Sequence, residues 1–163
     1  MFFDSFTGKP VDWEDSFLGI KRRWNRPPQK ISLLEDGIES TFDFQDVGKV
    51  PGLFNEVGDS GSYEAVLLEE SEPVGTAFIE FELVAQQPNG DFIAEVENFL
   101  DFGEGNTITL EGKLNVQRFE DLQPARLAVT DGEGTFDDAR GIAILNQVEL
   151  DVLDVINIDL LVI

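Results

Sequence analysis

Residues 107–116 read TITLEGKLNV and alternate without a break. Ile108, Leu110, Gly112, Leu114 and Val116 fall on one face; Thr107, Thr109, Glu111, Lys113 and Asn115 fall on the other. Strict period-two alternation predicts a strand with one greasy and one solvated face. The same pattern extends in both directions. Upstream, Phe92–Phe102 sets Phe92, Ala94, Val96, Asn98 and Leu100 against Glu95 and Glu97. Before it stands Gln87-Pro88-Asn89-Gly90, a turn cluster with the Asn-Gly hairpin signal. Val74–Ala85, Tyr63–Leu68 and Ile31–Glu35 are further runs, and Ala125–Thr130, Gly141–Leu150 and Val155–Ile163 follow downstream. About eight strands result, with no helix between them. Short turns make antiparallel neighbours the economical connection. A sandwich and a closed barrel both satisfy the pattern. The barrel is preferred, because it leaves no edge strand and can hold one small ligand. The segment 36–60, rich in Asp, Gly and Ser, reads as a long loop or an irregular edge strand.

Ahead of the strands, residues 1–30 form an extension of different character. It carries six basic and four acidic side chains, whereas residues 31–163 carry five basic and 29 acidic. Trp13, Phe17, Ile20 and Trp24 share one helical stripe, Asp12 is placed to cap it, and Pro27-Pro28 ends it. A short helix over 12–24 is expected, either packed on apolar surface or acting as a lid. The domain division is therefore an extension, 1–30, and an all-β domain, 31–163.

Composition excludes much chemistry. The 163 residues contain no Cys and no His, which removes disulfides, thiol nucleophiles, imidazole acid–base catalysis and His-metal centres. The formal net charge of −22 repels nucleic acid and anionic membrane, both of which are bound through Lys and Arg. No apolar run approaches the roughly 20 residues of a membrane helix. The N-terminus lacks the basic flank of a secretory signal and the Arg-rich character of a transit peptide, so a cytoplasmic location is expected. Asp131, Glu133, Asp137 and Asp138 lack EF-hand spacing, and no metal site is expected.

The segment LAVTDGEGTFDDARGIAIL, residues 127–145, resembles the signature of the allene oxide cyclase and dirigent barrel superfamily: a strand, a Gly-rich turn with an aromatic, then Gly and the next strand. Thr130, Gly132, Gly134, Phe136, Ala139, Arg140 and Gly141 fall in register, with Asp131 in place of a usual glycine. Val74-Gly75-Thr76, Gly58-Asp59 and Ile108–Gly112 are similar to other segments of that family. The resemblance implies an eight-stranded antiparallel barrel with an apolar cavity. It also implies cofactor-free folding of a reactive hydrophobic substrate, closer to the bacterial polyketide cyclases of the Diels-Alderase type.

Candidate site residues follow from polar groups on inward faces. Glu35 shares a face with Ile31 and Leu33, where a carboxylate must find a partner or a raised pKa; the alternative is a solvated strand end. Asn98 sits between Val96 and Leu100, and Asn146 between Ile144 and Val148; each is either a ligand contact or a structural hydrogen bond. Tyr63, the single Tyr, shares a face with Ala65 and Leu67 and either donates to a substrate carbonyl or packs. Glu35, Tyr63 and Asn98 are the catalytic candidates. Val96, Leu100, Ile108, Leu110, Leu114 and Asn146, with Trp13 and Trp24 from the extension, are the substrate-binding candidates. Gly112 is expected to leave volume for ligand inside the barrel.

Two functions fit. One is a cofactor-independent cyclase that folds a polyene or polyketide-type substrate for [4+2] or related closure, with an oxidised fatty acid as the alternative substrate. The other is a lipocalin- or dirigent-like barrel that binds a hydrophobic ligand without converting it. The expected partner is a hydrophobic small molecule, and a homodimer or homotrimer is compatible with either.

Overall fold

The computed structural model describes residues 28–37, 43–45, 56–148 and 155–163. The helix expected over 12–24, with Trp13 and Trp24, lies outside them. Nine strands follow in chain order: β1 (Gln29–Asp36), β2 (Asp43–Gln45), β3 (Ser60–Glu69), β4 (Glu72–Gln86), β5 (Phe92–Asp101), β6 (Thr107–Asn115), β7 (Ala125–Glu133), β8 (Gly141–Gln147) and β9 (Val155–Val162). Each strand from β3 to β9 pairs antiparallel with the next. β9 then pairs with β1 along its whole length, from Gln29↔Val162 to Asp36↔Val155. β1 in turn reaches β3 through Leu34↔Leu68 to Asp36↔Val66, which closes the ring. The three-residue β2 continues along the same edge of β3, Asp43↔Ser62 to Gln45↔Ser60. β1 and β2 thus share one place on the circumference of an eight-stranded barrel. The segment expected to be irregular supplies that second, shorter piece.

The interior is built from the expected faces. Leu33, Tyr63, Ala65, Leu67, Ala77, Ile79, Ala94, Val96, Leu100, Ile108, Leu110, Leu127, Val129, Ala143, Leu145 and Ile158 are all buried. Small alanines alternate with larger side chains along these inward faces. Their outward neighbours on β4, β5 and β6 (Glu80, Glu82, Glu95, Glu97, Glu111) are exposed.

One departure matters. The strand expected to run through Val116 ends at Asn115, whose Oδ1 accepts the Arg118 N–H at 3.0 Å and caps the five-residue helix α1 (Val116–Glu120). A side-chain cap of this kind stops a strand locally. Phe119 of α1 is buried at that end of the barrel. The Gly-rich turn is close-packed: a Cβ on Gly132 would run into the Phe136 carbonyl oxygen, so only glycine lets β7 approach the turn that follows it. The half-buried Phe136 ring meets Phe102 with centroids 5.4 Å apart. Among the described residues no helix is long and apolar enough to cross a membrane.

Candidate functional site

Glu35 lies two residues beyond Leu33 on β1, so alternation turns its carboxyl inward. β9 and β3 flank it through Ile156 and Leu67. Asn98 points inward from the middle of β5. It shares a transverse row with Ile79 and Tyr63, across β4 and β3. Glu35 is 0% exposed, Asn98 1% and Tyr63 8%. The three catalytic candidates, far apart in the chain, meet in the interior. Asn98 Nδ2 donates to Glu35 Oε2 at 2.7 Å, and the Tyr63 hydroxyl also hydrogen-bonds the Glu35 carboxyl.

Burial dominates the electrostatics. Removal from water penalises the carboxylate and raises the Glu35 pKa from 4.5 to about 7, against the opposing pull of the Asn98 and Tyr63 hydrogen bonds. Near neutrality the group is therefore poised between acid and carboxylate. Glu35 Oε1 and Asn98 Oδ1, both buried, have no hydrogen-bond partner among the described residues. An unmet buried acceptor costs about 1–3 kcal/mol. A neutral Glu35 can turn one unmet oxygen into an O–H donor, which is the form that polarises a carbonyl.

The other candidates divide. Val96, Leu100, Ile108 and Leu110 are buried on inward faces beside Asn98, as expected, and Leu114 is half-buried. Asn146 does not face in. On β8 the buried positions are Ala143, Leu145 and Gln147, so Asn146 is paired in register with Asn157 on the opposite face. Residues 142–145 are all apolar and carry no alternation to set the parity. Gln147 is the polar residue missed: it is 4% exposed and stands in the row Leu67–Glu35–Ile156–Gln147. The adjacent Asn-Gln pair was its only signal.

The volume expected beside Gly112 is occupied. A Cβ there would lie 2.8 Å from Leu127 Cδ2, so the missing side chain makes room for Leu127 rather than for a ligand. A recess of about 690 Å³ in this region opens on the outer face of β3–β6, among Ser60, Ser62, Glu80, Glu82, Glu95 and Glu97. Among the described residues no group of three or more Asp and Glu is placed to hold a metal ion.

A family model described as the allene oxide cyclase barrel-like domain matches residues 43–159. Comparison with curated proteins finds no sequence match. Among solved structures, the chain is similar to a pyocyanin demethylase, with TM-score 0.66 and 18% identity over 83% of this chain and 100% of that one. It is similar to the Diels-Alderase AbmU from Streptomyces koyangensis, with TM-score 0.69 and 14% identity over 92% of this chain and 68% of that one. A pterocarpan synthase dirigent protein gives TM-score 0.64 and 17% identity over 83% and 94%. At these identities the likeness is one of fold.

Proposed function

We propose that this chain, which belongs to the allene oxide cyclase barrel-like family, is a cofactor-independent cyclase whose buried Glu35 polarises a carbonyl or epoxide oxygen of a hydrophobic substrate. The observation that carries this reading is the Glu35–Asn98–Tyr63 cluster. It is a carboxyl with a pKa of about 7, hydrogen-bonded on one oxygen and unmet on the other, among apolar side chains. Fold relatives that include Diels-Alderases support the reaction class.

In this reading the interior supplies orientation. Leu100, Ile108, Leu110 and Val96 hold a linear polyene or polyketide-type chain in a folded, near-attack shape. Glu35, in its neutral form, donates to the substrate oxygen and withdraws electron density from the conjugated system as the ring closes. Asn98 and Tyr63 hold the carboxyl in place, and Asn98 Oδ1 offers an acceptor to a substrate hydroxyl. No redox change is needed, because cycloaddition and isomerisation conserve mass.

The test is incubation with linear conjugated polyenes that bear a terminal carbonyl. Chromatography with mass detection should reveal a product of unchanged mass and altered retention, formed more slowly by Glu35→Gln. A chain that binds these compounds and returns every one unchanged would sink the enzyme reading in favour of a dirigent-like or carrier barrel.

A further inference from the structure

The ladder between β6 and β7 ends before either strand does. Their ladder runs from Thr107↔Glu133 to Glu111↔Ala128, with an irregularity after Thr109, and then stops. Gly112–Asn115 and Ala125–Leu127 continue towards the α1 end without pairing to one another. A recess of about 380 Å³ occupies this seam. Leu114, Phe119 and Ala125 line it with apolar surface, and Lys113, Arg118 and Arg126 stand around it.

That grouping of cations is out of keeping with the other described residues. The described residues include five basic side chains, Lys30, Lys113, Arg118, Arg126 and Arg140, in a chain of net charge −22. Three of the five converge on one recess. None of the three forms an ion pair with a described residue, although Glu95 stands opposite Lys113 in the β5–β6 register. Over the rest of the described residues acidic side chains far outnumber basic ones; at the seam an anion meets three cations that have no ion-pair partner among the described residues, beside a greasy floor. The volume matches a small-molecule site rather than a macromolecular surface.

We propose that the β6–β7 seam binds a small amphiphilic anion. Its carboxylate or phosphate is held by Lys113, Arg118 and Arg126, and its apolar part lies against Leu114, Phe119 and Ala125. The site shares none of Glu35, Asn98 and Tyr63, and it stands whether or not the barrel interior is catalytic.

Titration calorimetry of the full chain with decanoate, decyl phosphate and decanol at low salt tests this. At least one anion should bind about tenfold or more tightly than decanol, and the tighter of the two identifies the preferred head group. Its affinity should fall as salt rises. Arg118→Gln with Arg126→Gln should weaken it about tenfold or more, and Arg118→Gln alone should weaken it measurably. All three cations are exposed, so neither variant disturbs the core. Glu35→Gln should leave anion binding unchanged. Decanol binding as tightly as both anions, no anion binding, or affinity unchanged in the Arg variants would overturn the proposal.

Discussion

Asn98 donates to Glu35 Oε2 at 2.7 Å across 63 residues of sequence, and the bond joins β5 to β1, strands that are not neighbours in the sheet. It is a chord through the barrel rather than a step along its wall. It places an amide dipole on a carboxyl that has lost its water. The stability prediction and the proposed chemistry both rest on that chord.

The Glu35 carboxyl makes folding pH-dependent in a specified direction. Its folded pKa, about 7, lies above the ordinary 4.5. Between those values the folded chain binds the extra proton, so stability from this group is fully present below about 4.5. It is lost as pH rises towards 7. The magnitude is on the order of 3 kcal/mol. Glu35→Gln lacks this titration. The wild-type melting temperature, measured relative to that variant, should fall by several degrees between pH 5 and pH 8. A constant difference would show that Glu35 does not titrate in this range.

Turnover should follow the same proton. With the neutral acid as the donor, activity declines above about pH 7. Asn98→Leu removes the donor that favours the carboxylate. Its pH–rate profile should therefore shift upward, with a lower maximum because the acid is less well held. Loss of one hydrogen bond to a carboxyl costs about 1.5–3 kcal/mol of stability. Thermal melting beside the pH profile separates misfolding from mispositioning.

Gly112 tests the interior packing. Leu127 Cδ2 lies 2.8 Å from where a Cβ would stand, and a methyl needs only a small shift of that flexible tip. Gly112→Ala should be nearly neutral, whereas Gly112→Phe overpacks the wall and should cost about 1–3 kcal/mol or more. Equal melting temperatures for the two variants would place open space where the structure has Leu127.

The outer wall carries its own strain. Glu80, Glu97 and Glu111 stand directly opposite one another on β4, β5 and β6. Like charges facing across strands repel, and counterions screen them. The melting temperature should rise between low and moderate salt. Glu97→Lys, with a carboxylate on each side, should raise it at low salt and lose most of that advantage at high salt. A chain equally stable at both salts would remove the role given to this row.

The two-faced strands were legible in residues 92–116, where Glu95, Glu97, Glu111 and Lys113 mark one face so plainly that the other had to be the interior; that pattern fits a sandwich as well, and only the pairing of β1 with both β9 and β3 decides for the barrel. Alternation is local: each side chain's face follows from its neighbours, so Tyr63 and Asn98 could be assigned to apolar faces before any strand was paired, whereas Glu35 stayed open between the interior and a solvated strand end, and it is the closed barrel that buries it. β8 shows the limit. Its run Ile142–Leu145 is apolar on both faces, and only pairing with β7 and β9 turns Gln147 in and Asn146 out. The cap that ends β6 at Asn115, and the seam it leaves beside β7, had no signature strong enough to interrupt the strand pattern. Which inward groups touch depends on ring closure and strand stagger, which bring together residues of high sequence separation. The hydrogen bond between Asn98 and Glu35, the raised pKa that burial imposes, and the filling of Gly112 by Leu127 are therefore properties of the closed barrel, because each requires side chains from separate strands to compete for one small interior.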